Sequence, residues 1–189
     1  MAMSAEEAAI GLFTVLATGD AALAAAAVHE EFTNREARVS PAACSIPGPA
    51  GTLASGAWLR SAFTDMSFPV TDLVQDGERV WIRLHMRGRH TGPFVRYRDG
   101  MLDQAIPPTG ALIDSEQVHL LHLQDGKVVH HEAVRDDVTL LGQLGVLPPG
   151  PTARLIEEWH ADGRAARAAA AIAEAAERAA ATARARTPD

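Results

Sequence analysis

Two runs, Ile113 to Leu123 and Lys127 to Val134, carry several of the side chains able to move protons, and Asp125-Gly126 joins them. Asp-Gly between alternating runs predicts a hairpin, because the tight turn needs positive φ at its central residues. A two-residue turn sets Gln124 opposite Lys127, and the same register continues outward. His119 then faces Glu132, Gln117 faces Val134, and Ser115 faces Asp136. Side chains alternate between the faces of a strand, so His119, Glu132 and Asp136 are expected on one face with Leu121, Val128 and Val134. An imidazole and two carboxylates in one place are the ordinary equipment of general acid/base chemistry. Each has a plainer reading. Asp136 stands where a strand gives way to a helix, a common position for a capping aspartate. His119 and Glu132 could be only a cross-strand polar pair. The opposite face carries Val118, Leu120, Val129 and Ala133, but also Glu116, His122, His131 and Arg135. Neither face is uniformly apolar, so periodicity alone does not choose the one that lines a pocket. His130 and His131 are strand neighbours and point apart, as do His119 and His122, so no metal site is expected.

The elements that must position these groups follow a simple order. Ser4 and Glu7 form a capping box ahead of a helix whose apolar face holds Ile10, Phe13, Leu16 and Ala17. Gly19 ends it, and Asp20 caps a second helix expected to run to about Phe32. A polar, Pro-containing loop reaches Gly48, and a third helix spans roughly Ala50 to Phe63. The period then changes to two around a first hairpin at Asp76-Gly77, where Val80, Ile82, Leu84 and Met86 alternate with Trp81, Arg83, His85 and Arg87. A segment rich in Gly, Pro and Arg, His90 to Gly110, reads as a long loop of the kind that forms lids or binding loops. A short helix, about Asp137 to Leu144, closes the body. Helices followed by two long hairpins imply an α+β fold, with helices on one face of an antiparallel sheet and a pocket between the layers.

The chain of 189 residues holds enough for one core plus a tail. Residues 1–147 read as the domain and 148–189 as a linker and an Ala/Arg/Glu-rich helical tail. In that tail Ile172 is the only large apolar residue after Arg164, so the tail is expected to be helical but to fray or to bind a second subunit. The formal net charge is −7, and it lies in the body, because six arginines and six acidic residues cancel between Gly150 and Asp189. An acidic body argues against nucleic-acid and anionic-membrane partners. The single cysteine, Cys44, allows no internal disulfide. No signal-peptide pattern or membrane-length apolar run is evident, which points to the cytoplasm.

Five stretches, in order, resemble the SnoaL-like polyketide cyclases: Thr18-Gly19-Asp20; Gly48-Pro49-Ala50-Gly51; Arg87-Gly88-Arg89-His90-Thr91-Gly92-Pro93-Phe94; Pro107-Pro108-Thr109-Gly110; and Asp125-Gly126-Lys127 continuing to Asp136 and Leu140-Leu141-Gly142-Gln143-Leu144-Gly145. The resemblance implies a cone-shaped, nuclear-transport-factor-2-like barrel, often a homodimer. It implies an acid/base aspartate at Asp136 for intramolecular aldol closure of a hydrophobic carbonyl substrate, without metal or cofactor. Burial in an apolar cavity raises a carboxylate's pKa toward a value useful at neutral pH. His119, oriented by Glu132, is then the candidate donor to the developing enolate. Asn34 matches a polar position of the family that could hold a substrate oxygen. Trp58, Phe94, His90 and Gln117 complete the substrate-binding candidates, Trp58 and Phe94 being equally readable as core. His130-His131-Glu132 departs from the family's pattern by placing an acid where relatives carry an aromatic residue. That more polar wall keeps open an epoxide hydrolase or epoxide-opening cyclase, and the added tail keeps open a non-catalytic binding or dimeric interaction module.

Overall fold

The computed structural model describes residues 3–185. The expected tail, 148–189, therefore extends past the described residues at 186–189, and the expected body begins before them at 1–2. Helix α1 (Ala5–Thr18) opens with Ser4 accepting from the Glu7 N–H and Glu7 accepting from the Ser4 N–H, and it ends at Gly19 with φ 75°. Helix α2 is short, Ala21–Ala27, capped by Asp20. The chain then turns extended as strand β1 (Val28–Asn34), so the expected continuation of the helix to Phe32 is corrected. Val28 and Phe32 are β-formers, and a neighbouring strand supplies the hydrogen bonds that outweigh the helical tendency of the preceding alanines. Two 3₁₀ turns follow, and then α3 (Pro49–Ala62). Gly51 is required at its start, because a Cβ there would sit 2.0 Å from the Ile46 carbonyl oxygen.

Strands β2 (Phe63–Ser67), β3 (Val70–Asp76), β4 (Arg79–His90), β7 (Leu112–Gln124) and β8 (Lys127–Arg135) join β1 in a six-stranded sheet of order β1-β8-β7-β4-β2, with β3 also on β4. The sheet is mixed, not wholly antiparallel as expected, since β1 lies parallel to β8. Residues 90–110 are not a loop. They form a second hairpin, β5 (Phe94–Arg98) and β6 (Met101–Ile106), turning at Asp99-Gly100. Helix α4 (Asp137–Gln143) closes the body.

The tail is docked. Helices α5 (Pro151–Ala161) and α6 (Arg164–Arg184) pack on the body, α6 along α3. Ala165, Ala169, Ile172, Ala176 and Ala180 form its buried stripe, in one core with Trp58, Val95, Tyr97 and Ile106. Alanines bury little area each, but they let helix axes approach closely, so the expected fraying is not seen. The Tyr97 hydroxyl donates to the Ala169 carbonyl at 2.6 Å, tying the β5–β6 hairpin to α6. A second core joins α1 to the sheet through Leu12, Phe13, Phe32, Val80, Ile82, Leu84 and Leu121. No helix of the described residues is long and apolar enough to cross a membrane.

Candidate active site

The cavity is lined by residues of both cores. It encloses about 1050 Å³ counting the solvent at its mouth. Leu12, Phe13, Leu16, Phe32, Phe68 and Met86 make one apolar wall, and Trp58, Leu59, Phe94, Leu140 and Leu141 the other. Asn34, Gln117, His119 and His131 supply a polar floor, and Thr52 and Ser55 a polar strip on α3. Phe94 meets Trp58 with ring centroids 5.6 Å apart, and the Trp58 indole N–H donates to the Val95 carbonyl at 2.8 Å. Both rings are thus packed in the core while lining the cavity.

The register of β7 and β8 decides which groups reach the floor. Asp125 (φ 52°) and Gly126 (φ 75°) make the expected tight turn, and Gln124 pairs with Lys127. The pairing then slips by one between His122 and Leu123. Beyond that bulge His119 faces Ala133, not Glu132, and Gln117 faces Arg135. A one-residue slip moves every later side chain to the other face. His131 therefore lies inside, 7% exposed, and Glu132 turns outward to Arg35, with Nη1 to Oε2 at 2.7 Å. The expected orientation of His119 by Glu132 is replaced by His131.

The floor is one hydrogen-bonded chain. Gln117 Oε1 lies 3.0 Å from His119 Nε2, His119 Nδ1 lies 2.8 Å from His131 Nε2, and His131 Nδ1 lies 2.9 Å from Asn34 Oδ1. Its proton order can be derived. The backbone N–H of Glu36 donates to Asn34 Oδ1 at 3.0 Å, which fixes that atom as the acceptor. His131 must then donate from Nδ1, so its neutral Nε2 accepts. His119 must donate from Nδ1, which leaves His119 Nε2 as the basic nitrogen. Two acceptors cannot face each other, so with His119 neutral the Gln117 amide is turned end for end from the placement in which its NH₂ donates to Met86 Sδ at 3.7 Å, and presents that NH₂ to Nε2. Neutrality is the favoured state. Burial, then the neighbouring His131 and Arg135, push His119 well below the usual imidazole range. Burial, Arg135 and His130 push His131 down to about 3.

Asp136 lies elsewhere. It is exposed and caps α4, accepting from the Thr139 N–H at 2.9 Å and the Thr139 hydroxyl at 2.6 Å. These bonds hold its carboxyl below the usual range, opposite in direction to the raised value expected for a cavity acid. Desolvation acts the other way at Asp136 but is outweighed by the two Thr139 bonds. Glu36 and Asp137 are the acids that line the cavity, and Arg135 pairs with both, at 3.1 Å and 3.6 Å. His90 does not line the cavity. It is fully buried at the end of β4 against Phe63, with its pKa lowered to about 4 by burial. Cys44 is buried, and burial raises its thiol to about 11, the value of an inert thiol. Sequence reasoning on the simple register thus misses His131 on the floor. Consecutive Val128-Val129 beside the turn, which breaks strict alternation, is the signal that points to a bulge.

The buried histidines make an acid-sensitivity prediction. An unfolded histidine takes up a proton near 6.5, whereas folded His131 stays neutral to about 3. Between these values the unfolded chain binds more protons, so stability is complete above 6.5 and falls as the pH drops through the window. His131 alone should remove about 2 kcal/mol at pH 5, and His90 acts in the same direction. Urea unfolding at pH 7.5 and 5 checks this; His131→Gln should flatten the dependence.

A curved sheet closed over helices around a mostly apolar cavity defines a nuclear-transport-factor-2-like α+β cone. The SnoaL-like polyketide cyclase model matches residues 8–144, and the chain belongs to that family. It is 32% identical over 102 residues to aklanonic acid methyl ester cyclase AcmA of Streptomyces galilaeus, covering 53% of this chain and 65% of that protein, just under two thirds. It is 30% identical over 128 residues to aklanonic acid methyl ester cyclase DnrD of Streptomyces peucetius, covering 66% of this chain and 78% of that one. Among solved structures, TsrD from Streptomyces laurentii superposes with a TM-score of 0.61 at 23% identity, over 75% of this chain and 95% of that one. IdmH from Streptomyces antibioticus does so at 0.57 and 26%, over 76% and 100%. Helices α5 and α6 lie beyond the matched segment.

Proposed function

We propose that this protein is a polyketide cyclase in which His119, not Asp136, moves the proton. The observation that carries this reading is the buried chain from Gln117 through His119 and His131 to Asn34. In the reaction, His119 Nε2 takes a proton from a carbon beside a carbonyl. The resulting enolate carbon attacks a second carbonyl of the same molecule, and a C–C bond closes the ring. The new alkoxide takes the proton back from the imidazolium and becomes a hydroxyl. No atom is gained or lost, so no co-reactant is needed. Imidazolium and enolate form together, and in a low-dielectric pocket each stabilises the other. The depressed pKa makes the imidazolium a strong acid, which favours the proton's return. His131 and Asn34 are positioning residues: they hold the tautomer that leaves Nε2 unprotonated, as the partner of a catalytic histidine does elsewhere. The apolar walls fold the substrate so that its reacting carbons meet.

Aklanonic acid methyl ester, named in the relatives, is the probe substrate. The test compares wild type with His119→Gln and Asp136→Asn. Asparagine is as good a helix cap as aspartate, so Asp136→Asn should keep fold and turnover. If it abolishes turnover in a folded protein, the aspartate is the acid/base group and this assignment is wrong. If neither wild type nor variant turns the probe over but both bind it, a binding module becomes the better reading. Glu132 faces away from the cavity, so the Glu132–His119 wall that suggested two-carboxylate epoxide chemistry is not assembled there, and the carboxylates that do line it, Glu36 and Asp137, are held by Arg135. A homodimer is proposed across the outer sheet face, where Trp81 (49% exposed) and Val134 (78% exposed) lie bare. Trp81→Glu should then lower the mass measured by light scattering to that of one chain.

A further inference from the structure

Helix α3 carries three hydroxyls, and two have the ordinary partner. Ser55 donates to the Gly51 carbonyl and Ser61 to the Ala57 carbonyl, both at 2.8 Å and four residues back. Thr52 does not. It is 2% exposed, its Oγ1 has no hydrogen-bond partner among the described residues, and the residue lines the cavity that holds His119. Ser40, on the same cavity, is also satisfied, donating to the Ala37 carbonyl at 2.7 Å. A buried hydroxyl without a partner opposes folding, so native chains rarely keep one without a use.

We propose that Thr52 is a substrate-anchoring residue, whose hydroxyl binds a carbonyl or hydroxyl oxygen of an oxygenated polycyclic ligand. This rests on the cyclase reading of the cavity. Thr52 offers one proton and two lone pairs, so it can serve either kind of oxygen. Threonine in a helix divides between two side-chain wells, and one step between them exchanges methyl and hydroxyl at the cavity wall. The walls around it are apolar. Of the hydroxyls lining the cavity, Thr52 alone has its proton uncommitted among the described residues, since Ser55 donates to Gly51 and Ser40 to Ala37. An anchor on α3, separate from the proton-moving floor on β7 and β8, would fix which face and which end of the ligand meets His119.

The test joins two measurements whose expected signs differ. Thr52→Val removes the hydroxyl and keeps the shape. Without ligand, the variant should unfold at the same or a higher urea midpoint than wild type, because an unsatisfied group has been deleted. Binding of aklanonic acid methyl ester, measured by equilibrium fluorescence titration, should weaken about tenfold. Thr52→Ser, which keeps the hydroxyl, should bind near wild type. A lower midpoint for Thr52→Val with unchanged binding would show that the hydroxyl has a protein partner, and would overturn the proposal. Equal binding by wild type and Thr52→Val overturns it whatever the midpoint. Binding needs no turnover, so the catalytic reading fails separately: it fails if His119→Gln still turns the probe over, whereas no binding by the wild type would count against the ligand class and against Thr52 as its anchor.

Discussion

His119→Gln is expected to lower kcat for ring closure by about 10²–10⁴-fold, the usual contribution of a positioned acid/base group. Glutamine can donate to His131 Nε2 as His119 Nδ1–H does, so the fold should persist and KM should change little. The substitution removes only the basic nitrogen that faces Gln117. Single-turnover kinetics on aklanonic acid methyl ester separates the two parameters, with circular dichroism as the check on folding. A variant within threefold of wild type would sink the assignment. His131→Gln and Asn34→Leu should lower kcat less, because each lets His119 adopt the wrong tautomer for part of the time without deleting the base. Their pH profiles should shift as well, a response that loss of packing alone would not give.

Ile172→Ala is expected to destabilise the protein by about 2–5 kcal/mol, the range for truncating a buried large aliphatic side chain. Ile172 is 5% exposed in the middle of α6, and its core is shared with Tyr97 and Ile106 of the β5–β6 hairpin. Phe94 and Arg96 of the same hairpin line the cavity. The tail thus supports the cavity wall from behind, and the loss should also raise KM. Urea unfolding followed by tryptophan fluorescence measures the first effect and steady-state kinetics the second. A change below about 0.5 kcal/mol, the size of an ordinary surface substitution, would mean that α6 does not stay docked in solution.

Much of this architecture is legible in the residues, and the failures have physical causes. Ser4 with Glu7, Asp20, Gly19 and Asp125-Gly126 are local signals, and each does locally what its chemistry dictates. The same signal stands at Asp99-Gly100 between Phe94 and Ile106. Reading that run as a loop weighs its glycine and proline content above its alternation. Strand β1 is not legible, because alanines lead into it and its partner lies far along the chain. The site was half legible. His119, Gln117 and Asn34 reach the cavity as expected. His131 replaces Glu132 because a bulge costs little locally, and it is decided by whether an imidazole or a carboxylate packs beside Phe13. Phe13 lies 6.3 Å from the His131 ring, centroid to centroid, and Arg135, the nearby cation, is already paired with Glu36 and Asp137. Asp136 shows the opposite lesson. Its position in the motif resembles that of a catalytic group, but its local role as a cap satisfies its oxygens.

Asn34 and His131 are register partners across the parallel seam of β1 and β8, 97 residues apart in sequence. Such a contact closes a long loop, and contacts of this kind form late because chain entropy must be lost first. The Gln117–His119–His131 links are local to the β7–β8 hairpin, but the link to Asn34 has no local precursor. A nascent or partly refolded chain can hold its α1 helix and its β7–β8 hairpin and still lack the link that orients His119. On the proposed mechanism, full activity therefore needs the first third of the polypeptide to meet the last strand of the sheet, and chains short of that contact should turn over more slowly.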